Sequence, residues 1–149
     1  MQRKIIPDIV KPHEMTATTV DATALEAADA MAKANTAAIV VVDGGDKLIG
    51  IVTERDLARR VVAKDIQPNA AKVADIMTPN PDTLSPDDPA ADALELMLTK
   101  RYRHLPVTDD GGRCIAMVSI RDLYAAVKES LEENIRETEA FVFGDRYSA

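Results

Sequence analysis

The residues best suited to chemistry form a short motif that occurs twice. Thr53-Glu-Arg-Asp56 and Ser119-Ile-Arg-Asp122 each place a hydroxyl three residues before a carboxylate, directly after an apolar run. An aspartate held at a helix start can accept hydrogen bonds from two neighbouring hydroxyls, as acidic residues do with ribose in dinucleotide-binding folds. The same spacing is that of a capping box. Spacing alone favours capping, but a helix start also presents free amides to an anion.

The two motifs belong to a tandem repeat. Residues 19–61 align with residues 85–127 without a gap, and 13 of the 43 aligned pairs are identical. Chance would give roughly three or four identities for this composition. Upstream, Asp8-Ile-Val-Lys-Pro12 matches Asp75-Ile-Met-Thr-Pro79. The chain therefore contains two related units.

The periodicity predicts the same order of elements in both units: strand, helix, strand, strand, helix. In the first unit these are Thr18–Val20, a helix over 24–34 capped by Asp21 or Thr23, Ala38–Val42, Leu48–Val52 and a helix over 54–63. In the second unit the first helix starts near Pro89, and the hairpin strands are Leu105–Thr108 and Cys114–Ser119.

The predicted fold is α/β (α+β), with two pseudo-symmetric units packed as one module. The first unit spans 7–65, the linker 66–73 and the second unit 74–130. Residues 131–149 form a C-terminal helical extension that ends in the aromatic tail Phe141–Tyr147. Such a tail costs solubility unless it docks on a surface, which is either its own module or a partner subunit.

Composition narrows the function classes. The net charge of −7 disfavours nonspecific nucleic-acid binding, so local basic groups must hold any anionic ligand. Cys114 is the single cysteine, and the chain shows neither a signal peptide nor an apolar run long enough to span a membrane. We therefore expect a cytoplasmic protein without membrane or nucleic-acid partners.

Signatures of catalysis are missing from the sequence. His13 and His104 are the only histidines, there is no cysteine pair, and neither a phosphate-binding glycine loop nor a nucleophile elbow occurs. An acidic set near one helix start suits the helix dipole, with a magnesium site as the minor alternative. It comprises Asp82, Asp87, Asp88 and Asp92. We predict no enzyme activity and no metal site.

The paired motifs, together with His104-Leu-Pro106 before the second hairpin strand, resemble the CBS domain, named after cystathionine β-synthase. The resemblance covers about residues 7–130, and the tandem arrangement is similar to the two-domain CBS module. It implies an adenosine-containing ligand (AMP, ADP, ATP, NAD or S-adenosylmethionine) in clefts between the units, no required cofactor, and a disk-shaped homodimer.

The resemblance also implies roles for particular residues. Asp56 and Asp122 would hold ribose hydroxyls, and Thr53 and Ser119 would contact ribose or phosphate. Pro106 belongs to the same ligand-binding set. The residues that would flank the base are Thr18, Thr19 and Val20 in one copy and Thr83, Leu84 and Ser85 in the other.

The two copies differ in ways that predict unequal sites. Only the second copy has the basic run Lys100-Arg-Tyr-Arg-His104, in which Arg103 and His104 would take phosphate oxygens. The alternative is that these cations complement a helix C-terminus or are solvated. Arg55 and Arg121 occupy matched positions and are either solvated, in contact with phosphate or paired across the pseudo-twofold axis. The first copy has Val40 where the second has Pro106, and Gly50 where the second has Ala116.

The sequence thus predicts a regulatory module that binds an adenine nucleotide and acts through an unknown regulated protein or through assembly. Two alternatives remain. One is a structural protein-interaction module whose capping residues never meet a ligand. The other is an enzyme that hydrolyses the nucleotide, which would need a metal or a general base.

Overall fold

The first unit builds a hairpin flanked by helices. The structure, a computed structural model, describes the backbone of residues 2–147 and the side chains of residues 2–143. The elements of the first unit are β1 (Ala17–Thr18), α1 (Ala24–Ala34), β2 (Ala38–Val42), β3 (Leu48–Thr53) and α2 (Glu54–Leu57), which continues as a wider turn over Ala58–Val62. β1 pairs parallel to β2, and β2 pairs antiparallel to β3. The predicted element order is confirmed in this unit.

The ends of α1 follow from its sequence. The Thr23 hydroxyl accepts a hydrogen bond from the Glu26 amide at 3.1 Å, so Thr23 rather than Asp21 caps the helix. Asn35 ends it in the left-handed conformation, with φ of 51°. Ala24, Ala27 and Met31 recur at helical spacing and are buried against the hairpin.

The second unit repeats this plan with a shorter leading strand. α4 (Ala90–Lys100), β5 (His104–Thr108), β6 (Cys114–Ser119) and α5 (Ile120–Tyr147) correspond to α1, β2, β3 and α2. β5 and β6 pair antiparallel. The counterpart of β1 is reduced to a single parallel bridge between Leu84 and Val107. The final helix is much longer than its counterpart in the first unit. In its aromatic tail Phe141 is 71% exposed, and the side chain of Tyr147 lies outside the described residues.

The segment that leads into each unit packs on the other unit. α3 (Val73–Ile76) and β4 (Thr78–Pro79) precede the second unit, yet Val73 and Ile76 lie in the core of the first, and β4 pairs with β3. Conversely, Ile5 near the N-terminus lies in the core of the second unit, where its amide donates to the Asp88 carbonyl at 3.0 Å. This exchange ties the two units into one module.

Gly50 shows how close the exchanged segment comes. A Cβ at this position would lie 2.6 Å from the Met77 sulfur and 3.2 Å from the Thr78 carbonyl oxygen. A side chain at residue 50 would require Met77 to change its position and β4 to shift slightly away from β3. The difference between Gly50 and Ala116 thus reflects backbone packing in the first copy.

We expect Ile5→Ala to destabilise the second unit although residue 5 precedes the first. The side chain is 0% exposed in that core, and buried Ile→Ala changes cost about 2–5 kcal/mol. Ile66→Ala removes the same atoms from a residue that is 41% exposed and should cost well under half as much. Urea unfolding of both variants measures this; equal losses would contradict the exchanged packing.

Candidate functional site

Both aspartates of the repeated motif are held by capping hydrogen bonds. The Thr53 amide donates to Asp56 Oδ2 at 2.9 Å, and the Asp56 amide donates back to Thr53 Oγ1 at 3.2 Å. The corresponding distances in the second unit are 2.9 Å for Ser119 N to Asp122 Oδ2 and 3.1 Å for Asp122 N to Ser119 Oγ. The capping interpretation of the motif is therefore correct for both copies.

Capping uses only one oxygen of Asp56. Oδ2 also accepts from the Thr53 hydroxyl at 3.1 Å, whereas Oδ1 has only Arg60 Nε nearby, at 3.8 Å, among the described side chains. The side chain is 12% exposed. The helix start thus fixes the carboxylate in one orientation and leaves a second oxygen able to accept from a ligand hydroxyl.

An open cleft of about 530 Å³ lies beside Asp56. This volume falls within the range of small-molecule sites. Its walls come from β3 and α2 of the first unit, from residues 78–82 that lead into the second, and from the end of α4 and start of β5. The apolar and aromatic groups in these walls are Ala37, Ile51, Pro81, Tyr102 and Leu105. A ligand in this cleft would contact both units.

The cleft is positively charged in a chain that is negative overall. Six basic side chains line it, against three acidic ones, in a chain whose net charge is −7. The basic residues are Arg55, Arg59, Arg60, Lys100, Arg101 and Arg103, and the acidic residues are Glu54, Asp56 and Asp82. Such a local excess attracts an anionic ligand that the chain as a whole would repel.

Several of these cations are already engaged. Arg60 Nη1 donates to the carbonyls of Ile76 and Met77 at 3.0 and 2.8 Å, and Arg55 Nη1 donates to the Arg101 carbonyl at 3.4 Å. Within the described part of the chain, no carboxylate lies within salt-bridge distance of Arg59, Arg101 or Arg103. These three guanidinium groups are the ones best placed to pair with phosphate oxygens.

Asp82 organises the other wall. It accepts from the Tyr102 hydroxyl at 2.9 Å and from Lys100 Nζ at 3.3 Å. The hydrogen bond from Tyr102, followed by that from Lys100, lowers the pKa of Asp82, and the same contact raises the pKa of Tyr102. Asp82 thus orients an aromatic ring and an ammonium group at the cleft rather than serving the helix start.

The charge is not repeated around Asp122. Offset by 66 residues, the positions of Arg59 and Arg60 are occupied by Ala125 and Ala126. The positions of Lys100, Arg101 and Arg103 are occupied in the first copy by Ala34, Asn35 and Ala37. Only the pair Arg55 and Arg121 is matched. The repeat therefore carries the capping box twice but the basic cluster once.

His104 lies at the boundary between the two units. It lines the cleft and pairs with Ser119 across the β5–β6 hairpin. Burial is the main cause that lowers its pKa below the usual value, and Arg103 adds to this, while Asp122 and Glu54 oppose it. At neutral pH the imidazole is therefore uncharged, and it serves the cleft as a hydrogen-bonding group rather than as a cation.

The structure brings together part of the predicted ligand-binding set. Thr53, Arg55, Asp56, Arg103 and His104 line the cleft. The other predicted residues lie outside its lining: Thr18, Thr19, Val20, Thr83, Leu84, Ser85, Pro106, Ser119, Arg121 and Asp122. Leu84 and Pro106 are buried, and Val20 packs against the first core.

Sequence reasoning missed other cleft residues. Arg59 and Arg60 follow Asp56 by three and four residues, so helical spacing alone would have placed them on the same face. Pro81 and Asp82 had no such signal, because they follow β4, which pairs with a strand of the other unit. Tyr102 had none because it belongs to the second unit, whereas Asp56 belongs to the first.

Among the side chains that the structure describes, no cluster of three or more His, Cys, Asp or Glu residues could hold a metal ion. No helix in the described range is both long and apolar enough to cross a bilayer.

Comparisons with known proteins point to one family. The CBS domain family model matches residues 8–63 and 73–129. CBS domain-containing protein CBSX3, mitochondrial, of Arabidopsis thaliana is 37% identical over 130 residues, which is 85% of this chain but 63% of that relative. The whole relative is thus longer than the part matched here.

Two solved structures share the fold. A CBS domain protein from Pyrobaculum aerophilum complexed with AMP is 27% identical, with a TM-score of 0.70 over 76% of this chain and 86% of that one. The CBS domain pair of protein MJ0100, in complex with 5′-methylthioadenosine and S-adenosyl-L-methionine, is 26% identical, with a TM-score of 0.77 over 87% of this chain and 99% of that one.

The fold of this chain is a tandem pair of pseudo-symmetric units, each with a capped aspartate at its strand-to-helix corner. This chain belongs to the CBS-domain proteins, and the resemblance seen in the sequence is confirmed.

We expect the stability of the protein to fall as the pH drops below the unfolded pKa of His104, near 6.5. Because burial depresses the folded pKa, the unfolded chain binds a proton that the folded chain resists until the pH passes below the folded value. His104→Gln should flatten this part of the profile. Urea midpoints at pH 7.5 and 5.5 test it; an unchanged pH dependence in the variant would contradict this explanation.

Proposed function

We propose that this protein is a regulatory module that binds a phosphorylated adenosine ligand in the cleft beside Asp56. The observation that carries the proposal is the coincidence of a partly free, pre-oriented carboxylate with three unpaired guanidinium groups in one 530 Å³ cleft. AMP, ADP, ATP and NAD all present both a ribose diol and phosphate. The AMP complex of the Pyrobaculum relative supports this class of ligand.

In this proposal the ribose, the base and the phosphates of the ligand each contact a different set of cleft residues. Asp56 Oδ1 accepts from the ribose hydroxyls, and Thr53 lies beside the sugar. Ile51, Pro81 and Tyr102 form the slot for the base, and Arg59, Arg101 and Arg103 take phosphate oxygens. S-adenosylmethionine is the least suited of the expected ligands, because its sulfonium would face a net positive surface.

The proposed output is a change in the relation between the units. The lining comes from both units, so a bound ligand would bridge them and restrict their relative motion. The partner that responds to this change is then a regulated protein or a second copy of the chain. We propose that the module acts by binding rather than by catalysis.

Asp122 remains a proposed second ribose position, without a basic cluster of its own. We also propose that the protein is located in the cytoplasm. The only support is its single cysteine, Cys114, which cannot form a disulfide within the chain, and the Arabidopsis relative is named mitochondrial.

The carboxylate assignment predicts that Asp56→Ala weakens AMP and ATP binding about ten- to hundredfold, the equivalent of roughly 1.5–3 kcal/mol for charge-assisted hydrogen bonds. Asp122→Ala is the matched comparison, because it removes the same kind of capping box at the corner that lacks the basic cluster. Thermal unfolding should show similar destabilisation of both variants, and calorimetry should show the larger affinity loss for Asp56→Ala.

Native affinity in both variants would remove the ribose assignment. No binding by the native chain would favour the structural-module alternative, and release of phosphate would favour the hydrolase.

The phosphate assignment is tested separately. Neutralising two cleft arginines in the double variant Arg59→Gln, Arg103→Gln should lower ATP affinity at least about tenfold. Binding of 5′-methylthioadenosine, which has the nucleoside without phosphate, should change less than about threefold. Lys64→Gln removes an exposed cation outside the cleft and should alter neither affinity. Equal losses for both ligands would show that the arginines support the fold rather than the phosphates.

A further inference from the structure

Arg60 connects the candidate ribose carboxylate to the segment that leads into the second unit. Its Nη1 donates to the carbonyls of Ile76 and Met77 at 3.0 and 2.8 Å. Its Nε lies 3.8 Å from Asp56 Oδ1, the oxygen that capping leaves for a ligand. One guanidinium group therefore lies against both the proposed ribose acceptor and the backbone of a segment that belongs to the other unit.

The two carbonyls lie where this leading segment changes direction. α3 ends at Ile76, Met77 has an extended backbone with φ of −69° and ψ of 159°, and β4 begins at Thr78. The last carbonyls of a helix have no partner within that helix, so a guanidinium that donates to them stabilises its end. Arg60 thus holds the chain at the point where it leaves the first core and enters the wall of the cleft.

The wall of the cleft follows directly. Thr78, Pro81 and Asp82 line the cleft, and all three lie within six residues of Ile76. β4 itself is a strand of only two residues. Because so short a strand adds little stability of its own, the position of this wall depends on the contacts that hold the chain on either side of it.

The connection is present at one corner only. Offset by 66 residues, the position of Arg60 is occupied by Ala126, whose side chain has no donor. The corner around Asp122 therefore has the capping box without the guanidinium that could reach a leading segment. The corner that has this connection is also the one that has the basic cluster.

We propose that Arg60 is a positioning residue that couples ligand binding at Asp56 to the leading segment of the second unit, residues 73–82. The guanidinium keeps this segment docked on the first unit, so the wall is in place before a ligand arrives. A ligand that contacts both Asp56 and the wall favours the docked state in turn, because it binds that state more tightly. The inference rests on the proposed function of the cleft and names the element through which occupancy reaches the second unit.

Hydrogen exchange of the unliganded full chain tests the docking role of Arg60. Arg60→Met keeps an aliphatic stem but removes both hydrogen bonds, so amide exchange in peptides covering 73–82 should become at least about tenfold faster. Peptides covering β5 and β6 should change less than about threefold, which separates a local effect from a general loss of stability. Arg60→Lys keeps a charged donor and should recover about half of the change on a logarithmic scale. Unchanged exchange in 73–82, or equal acceleration throughout the chain, would overturn the proposal.

Calorimetry distinguishes positioning from direct contact with phosphate. Arg60→Met should weaken ATP and 5′-methylthioadenosine by similar factors of about five to ten, because both ligands need the same wall. Arg59→Gln, one residue earlier in the chain, should weaken ATP far more than the nucleoside. Arg136→Met removes an exposed arginine outside the cleft and should change neither affinity. A loss confined to ATP in Arg60→Met would make Arg60 a phosphate contact and contradict its positioning role.

The coupling itself is measured in the native chain. Saturating ATP should slow amide exchange in 73–82 at least about tenfold, because the ligand binds the docked state. Binding of ATP without this slowing would refute the coupling and leave the proposed function of the cleft intact. Absence of binding by the native chain would instead overturn the proposed function and, with it, the coupling.

Discussion

The reciprocal hydrogen bonds between Thr53 and Asp56 are the constraint on which the site depends. They satisfy the free amides at a strand-to-helix corner, and in doing so they fix the direction of a carboxylate that is almost buried. Capping and ligand binding are therefore not competing explanations of this motif. A side chain already held by its own backbone loses little conformational entropy when it meets a sugar, and this is the advantage of a preorganised site.

The duplication explains the shape of the cleft and its asymmetry. Each unit needs the leading segment of the other to complete its core, as Ile5 and Val73 show, so the two hairpins are held side by side. That arrangement brings Tyr102 and Arg103 of the second unit to a corner of the first. Because the basic side chains of the two units cluster at one corner only, the two corners share the capping geometry but differ in electrostatics. The proposed phosphate contacts are therefore available at one corner only.

Much of the local structure could be predicted from the sequence. The limits of α1, β2 and β6 follow from the Thr23 cap, a β-branched run and the alternation before Ser119, all of which act over a few residues. The repeat itself predicted a strand-to-helix corner with the same motif in each unit. The capping role of Thr53 and Asp56 and the special position of the basic run in the second copy were also within reach of pattern and spacing.

What the sequence did not predict depends on contacts between distant segments. Pro81 and Asp82 reach the cleft because β4 pairs with β3, and Gly50 leaves room for this close approach. The residues predicted to flank the base, such as Thr18 and Leu84, were placed by resemblance alone and do not line this cleft. Secondary-structure signals contain no information on which unit a leading segment packs against. This explains why the walls of the site were harder to predict than the carboxylate at its centre.

We propose that one corner of the pair binds a phosphorylated adenosine ligand. Calorimetric titration of the native chain with ATP at low and at moderate salt provides the decisive test. We expect one strong site per chain, whose affinity falls as salt rises because the cleft cations contribute to it. Two equal sites, or an affinity that does not respond to salt, would disprove the proposal.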